Sequence, residues 1–247
     1  MCEHHLNRRA LMAGALTASA MAAAPAVAQR RPSRAWTPAP TANGKSSLTP
    51  DQALDLLIAG NEAFLRDELP LPDVSAQRRL DLAKAQAPFV AYISCSDSRV
   101  PPELLFGRGL GEFFIIRNAG NTIDTVAQGS LEFAVAKLGV PLVVVMGHES
   151  CGAVEAALAV VESNARFPGA IDNMIEPIIP AVLEARGRPG NKVENAVKAH
   201  VSRTVRVLRT ESDPLMLEPQ ASGKLKIVGA YYELASGRVN FFDRPKA

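Results

Sequence analysis

An α/β fold, with a mainly parallel central sheet flanked by helices and a helical N-terminal arm, is predicted by three observations. Short β-branched or aromatic runs at 89–94, 113–117 and 142–146 have the continuous apolar character of strands buried on both faces. A helical pattern at 122–138, with Val126, Leu131, Val135 and Leu138 apolar, separates the last two, and strand, helix, strand in that order implies a parallel sheet with right-handed crossovers. The composition, 47% hydrophobic and 21% charged over 247 residues, is that of a globular chain able to build one large core or two small ones.

Taken in order, the chain opens with a leader. Arg8 and Arg9 precede an apolar run of small residues from 10 to 24 that ends in Ala26-Val27-Ala28, an A-x-A cleavage signal. The run is too weakly hydrophobic for a spanning helix, so cleavage, leaving no membrane attachment, is the expectation. Asn7-Arg8-Arg9-Ala10-Leu11-Met12 resembles a twin-arginine signal, which predicts a periplasmic or secreted protein exported already folded. We place the leader at 1–28, a flexible linker or arm at 29–48 and the catalytic domain at 49–247. The arm, with Pro32, Pro38, Pro40 and many small polar residues, is expected to pack poorly. Thr49-Pro50-Asp51-Gln52 then reads as an N-cap, a proline at the first helical position and a Gln three residues after the cap, followed by Leu54, Leu57, Ile58 and Leu65 at helical spacing. After the three strands, helical patterns are predicted at 153–162, 171–185 and 193–209. A final strand pair is predicted at 225–232 and 238–242, joined through a turn at Ser236-Gly237. A net charge of +2 from scattered Lys and Arg, with no basic stripe, excludes a nucleic-acid partner of the usual kind.

Two segments carry candidate chemistry, each just beyond the C-terminal end of a predicted strand, where open parallel sheets place their ligand sites. They are Cys95-Ser96-Asp97-Ser98-Arg99 and Gly147-His148-Glu149-Ser150-Cys151-Gly152. Two thiolates and an imidazole suit zinc and leave a fourth tetrahedral position for water. Cys151 is expected at a helix N-terminus, where the helix dipole favours the thiolate. Chemistry alone leaves an alternative open: once the leader with Cys2 is removed, Cys95 and Cys151 in an oxidising compartment could equally form a disulfide.

The pairing Cys95-x-Asp97-Ser98-Arg99 with His148-x-x-Cys151-Gly152 resembles the paired signature of the β-class carbonic anhydrases. The similarity extends to Val100-Pro101-Pro102-Glu103, Gly111-Glu112-Phe113-Phe114, Arg117-Asn118-Ala119-Gly120-Asn121 and Gly129-Ser130-Leu131-Glu132-Phe133-Ala134. The resemblance implies zinc held by Cys95, His148 and Cys151, and reversible hydration of carbon dioxide to bicarbonate and a proton by hydroxide on the metal. It implies an Asp97–Arg99 dyad that orients the nucleophile. It also implies substrate contacts from Gln86, Phe114, Phe133 and Gly152, with Gln86 donated by a partner subunit in a homodimer or larger assembly. In a closed variant of the family the aspartate itself binds zinc, beside a bicarbonate pocket of Trp, Arg and Tyr. Arg117 and Tyr232 match that pocket but Tyr92 replaces the tryptophan, so the open form is expected. Gly107-Arg108 departs from the Asp-Gln of many bacterial relatives. A carbon disulfide or carbonyl sulfide hydrolase on the same scaffold, or a non-catalytic zinc- or bicarbonate-binding protein, are the competing functions.

Overall fold

The computed structural model describes residues 36–245; the leader and its cleavage site lie outside them. The sheet has five strands in the order β4-β3-β5-β6-β7: β3 (Val90–Cys95), β4 (Phe113–Asn118), β5 (Leu142–His148), β6 (Lys226–Tyr232) and β7 (Val239–Asp243). The first four run parallel and β7 returns antiparallel to β6, as the Ser236-Gly237 turn predicts. Alternate residues serve opposite faces. Tyr92, Val144, Met146 and Val228 join one apolar cluster, while Ala91, Ile93, Val143, Val145 and Ile227 join the other. Both faces are thus covered, which explains the unbroken apolar runs.

The helix α1 (Pro50–Leu65) starts at the expected capping box: Gln52 N–H donates to the Thr49 side chain, and Thr49 N–H donates to Gln52 Oε1. It packs on the short α3 (Pro102–Phe106), which follows α2 (Ala76–Leu82) in the chain. The predicted 122–138 helix begins later, as α4 (Thr125–Phe133) with a π-helical extension over Ala134–Leu138, because Asp124 caps it by accepting from Ala127 N–H. The buried face of α4 runs through Ala127 and Leu131, and Val126, one residue off it, is 76% exposed and contributes nothing to the core. The predicted 171–185 helix is broken into α6 (Ile171–Ile175), a 3₁₀ turn at Glu176–Ile178 and α7 (Ile179–Ala185), as expected where Pro177 and Pro180 withhold amide hydrogens. Between β5 and these elements runs α5 (Gly152–Ser163); beyond them come α8 (Lys192–Thr210) and α9 (Pro214–Ala221). A Cβ on Gly147 would lie 2.4 Å from Val197 Cγ1, so only glycine allows α8 to press on β5 there.

The arm differs from its expectation over its described half. Asn43 and Gly44 both take positive φ and close a two-residue hairpin between β1 (Thr41–Ala42) and β2 (Lys45–Ser46). Upstream, Ala39 is buried and its N–H donates to Glu112 Oε1 at 2.7 Å, while Arg78 lies over the Trp36 ring. Glu112 also accepts from Gly109 N–H and pairs with the buried Arg108 at 3.3 Å. Arg108 therefore spends its charge inside the fold. Replacing Glu112 by Gln should leave that guanidinium buried and uncompensated, costing about 3 kcal/mol. Thermal unfolding should show a melting point lower by roughly 10 °C; an unchanged midpoint would contradict this account of the arm's anchor.

Candidate metal centre

Because β4 lies on one side of β3 and β5 on the other, the β3–β5 boundary is the switch point of the sheet, the usual place for a ligand crevice. Cys95 ends β3 and His148 ends β5, so the sheet itself places them side by side. Ser150 then adopts φ 51, a left-handed turn that swings the chain directly into α5 with Cys151 as its N-cap. As a result Cys95 Sγ, His148 and Cys151 Sγ offer donor atoms all within 4.8 Å of one another, and all three residues are buried. Both cysteines are free thiols, and the disulfide alternative is not realised in this fold.

The donor set fits a metal on an observation of its own. His148 Nδ1 lies 2.8 Å from the Glu149 carbonyl, to which it can only donate, leaving Nε2 as the unprotonated acceptor. That Nε2 is buried and has no hydrogen-bond partner. An orphaned imidazole nitrogen facing two thiols is costly unless something is bound. Glu149 is held in turn, its N–H on the Tyr232 carbonyl and its Oε2 taking Leu234 N–H. The Cys95 thiol is pushed down, chiefly because the Cys151 thiol donates to it, with the Gly120 amide acting in the same sense against the cost of burial. Cys151 is raised, first by its bond to Cys95 and then by burial; the amides of Ala153 and Val154 act in the expected downward sense but are outweighed.

Asp97 and Arg99 form the predicted dyad. Arg99 Nε and backbone N–H both donate to Asp97 Oδ1 at 2.9 Å, and Nη2 donates to Oδ2 at 2.7 Å. These bonds hold the Asp97 carboxyl well below the usual carboxylate range. Oδ2 stands 4.0 Å from His148 Nε2, at the edge of the donor cluster. Arg117, which matches a position of the closed variant's bicarbonate pocket, donates from its guanidinium to the Cys95 and Asp97 carbonyls at 2.8 and 2.6 Å and so fixes the ligand loop. Gly120 N–H donates to Cys95 Sγ at 3.4 Å. Neither role was read from the sequence, although both residues lie in the Arg117-Asn118-Ala119-Gly120-Asn121 run. Gly152 is exposed beside Cys151, where an added Cβ would meet nothing within 4 Å.

Gln86, Phe114 and Phe133 lie elsewhere. Gln86 is exposed just before β3, and Phe114 pairs with Ala91 near the start of that strand, whereas Cys95 ends it. Gln86 thus precedes the start of β3, whereas Cys95 closes its far end. Phe133 is 49% exposed, its ring 6.2 Å from that of Phe114. Tyr92 is fully buried with its hydroxyl on Met146 Sδ.

Fold and donor set together define an α/β metalloprotein with its ligands at the sheet's switch point. Comparison with known proteins agrees. The carbonic anhydrase family model matches residues 90–239. Carbonic anhydrase 2 of Mycobacterium tuberculosis is 40% identical over 194 residues, covering 78% of this chain and 93% of that protein. The carbonic anhydrase of Mycolicibacterium smegmatis is 38% identical over 190 residues, covering 77% and 92%. A solved structure from work on two tetrameric β-carbonic anhydrases of Sordaria macrospora aligns with a TM-score of 0.62 at 27% identity, over 76% of this chain and 93% of that one. The chain belongs to the β-class carbonic anhydrase family.

Proposed function

We propose that this protein is a zinc-dependent carbonic anhydrase that interconverts carbon dioxide and bicarbonate, with Cys95, His148 and Cys151 as ligands and Asp97 and Arg99 beside them. The observation that carries the reading is the partnerless His148 Nε2 facing two free thiols, next to a carboxylate locked by an arginine. When bound, zinc supplies Lewis-acid activation of water near neutral pH. The chain supplies orientation. Asp97 Oδ1 is taken by two donors, while Oδ2 has one and faces the donor cluster, so it keeps an acceptor site for the proton of the attacking oxygen. With Arg99 holding both carboxylate oxygens, Asp97 is kept from the ligand set, which supports the open form. Stopped-flow hydration of carbon dioxide should scale with zinc content. Turnover of carbon disulfide or carbonyl sulfide without carbon dioxide hydration would overturn the reading.

The site is completed in a homodimer or larger assembly. Phe114 sits opposite Ala91 near the start of β3 while Cys95 ends that strand, and the exposed Phe133 beside Phe114 leaves an aromatic wall for a second copy, with Gln86 offered to the partner's site. Gln86→Ala should lower kcat/KM on the order of 10-fold with zinc content unchanged. Light scattering should find no active monomer; a fully active one would sink the shared site. Export rests on the leader motif alone, with periplasm or secretion as its destination. Among the described residues no helix is long and apolar enough to cross a membrane. Processing after Ala28 that survives replacement of both Arg8 and Arg9 by Lys would rule out the twin-arginine route.

A further inference from the structure

We infer that His200 is a positioning residue for the metal centre: from α8 it holds the turn at Gly120, whose amide donates to the Cys95 sulfur. This deepens the zinc reading and rests on it. Two hydrogen bonds make the link, His200 Nε2 to the Gly120 carbonyl at 3.1 Å and Gly120 N–H to Cys95 Sγ at 3.4 Å. A carbonyl can only accept, so Nε2 carries the ring proton and Nδ1 is bare.

The ring is otherwise a poor choice for this position. His200 is buried on α8, where it lines a cavity with Ile123, Gln128, Arg203 and Thr204, and its Nδ1 has no hydrogen-bond partner, a desolvation cost that a leucine would avoid. The bond to Gly120 is what the imidazole offers in return. Burial, the largest influence, pushes its pKa down to about 4, so the ring stays neutral and the donor constant at working pH.

The turn has little freedom to compensate. Gly120 takes φ 82, and a Cβ there would lie 2.7 Å from Ile178 Cδ1 and 2.9 Å from Ala153 Cβ, so it is pressed against α5 beside Cys151. Asn118 Nδ2 closes the loop on the Thr122 carbonyl at 2.7 Å. His200 thus supports, from eighty positions away, the one backbone amide that reaches the Cys95 sulfur outside its own loop. Groups that hydrogen-bond a ligand directly, as the Gly120 amide does, typically govern metal affinity by about 10- to 100-fold, and His200 acts through that amide.

The test compares His200→Gln, whose amide nitrogen reaches the place of Nε2, with His200→Asn, whose amide stops at the place of Nδ1, and His200→Leu. Zinc release to a chelator should accelerate on the order of 10-fold in the Asn and Leu proteins and stay near wild type in Gln. The thiolate-to-cobalt absorption of the cobalt-substituted proteins should shift in the same two variants only. Folded Asn and Leu proteins with wild-type release and spectra would overturn the inference. Should those variants not fold, the wild-type zinc protein decides by ¹⁵N NMR of its histidines: His200 protonated at Nε2 supports the link, and protonation at Nδ1 refutes it. Zinc content of the wild type is measured alongside, so that failure of the metal site itself is seen separately.

Discussion

Cys151→Ser should purify with zinc affinity reduced by more than about 100-fold and with carbon dioxide hydration lost to the same extent. The residue is a direct ligand candidate, fully buried, and its thiol donates to Cys95. A serine hydroxyl is a harder, weaker donor and leaves the Cys95 sulfur and His148 Nε2 as an incomplete pair in a buried pocket. The fold should survive, because position 151 is the N-cap of α5 and serine is among the residues best suited to cap a helix there. Circular dichroism together with zinc analysis separates the two effects. A serine variant that retains stoichiometric zinc would remove Cys151 from the ligand set.

Asp97→Asn should keep its zinc and lose activity on the order of 100-fold or more. The amide matches the carboxylate in shape but carries no charge, so the two side-chain bonds from Arg99 lose their ionic partner and one amide edge points a donor where the site needs an acceptor. Because Arg99 holds the folded pKa of Asp97 below its ordinary value, the linkage has a defined sign. Its contribution to stability is present above the unfolded carboxyl range near pH 4 and is lost as pH falls through the lower folded value. The wild type should therefore lose stability on acidification more steeply below pH 4 than Asp97→Asn does. Identical kinetics in the two proteins would show that Asp97 has no part in orienting the reacting oxygen.

Much of this was legible in the sequence, for reasons that can be located. The two ligand segments stood at strand ends because runs such as 142–146 are too apolar for anything but a strand buried on both faces, and the chain turns immediately after each. What escaped were short elements announced by single residues. Pro101-Pro102 with Gly107 in the left-handed region brackets α3, and Asp213-Pro214 starts α9, but helices of five and eight residues give no apolar periodicity to read. The Asn43-Gly44 hairpin was hidden in a proline-rich context. The apolar spacing over 122–138 does not locate where α4 begins, which is set by the bond from Ala127 N–H to the Asp124 side chain. His200 and Arg117 could not be read as supports, because their partners are backbone atoms brought near by folding.

The most direct measurement is X-ray absorption at the zinc edge on the protein as purified. The account predicts one zinc per chain, with two sulfurs near 2.3 Å and lighter nitrogen and oxygen neighbours near 2.0 Å. Protein purified without bound zinc, or a spectrum lacking the sulfur shell because Cys95 and Cys151 are joined to each other, would contradict it.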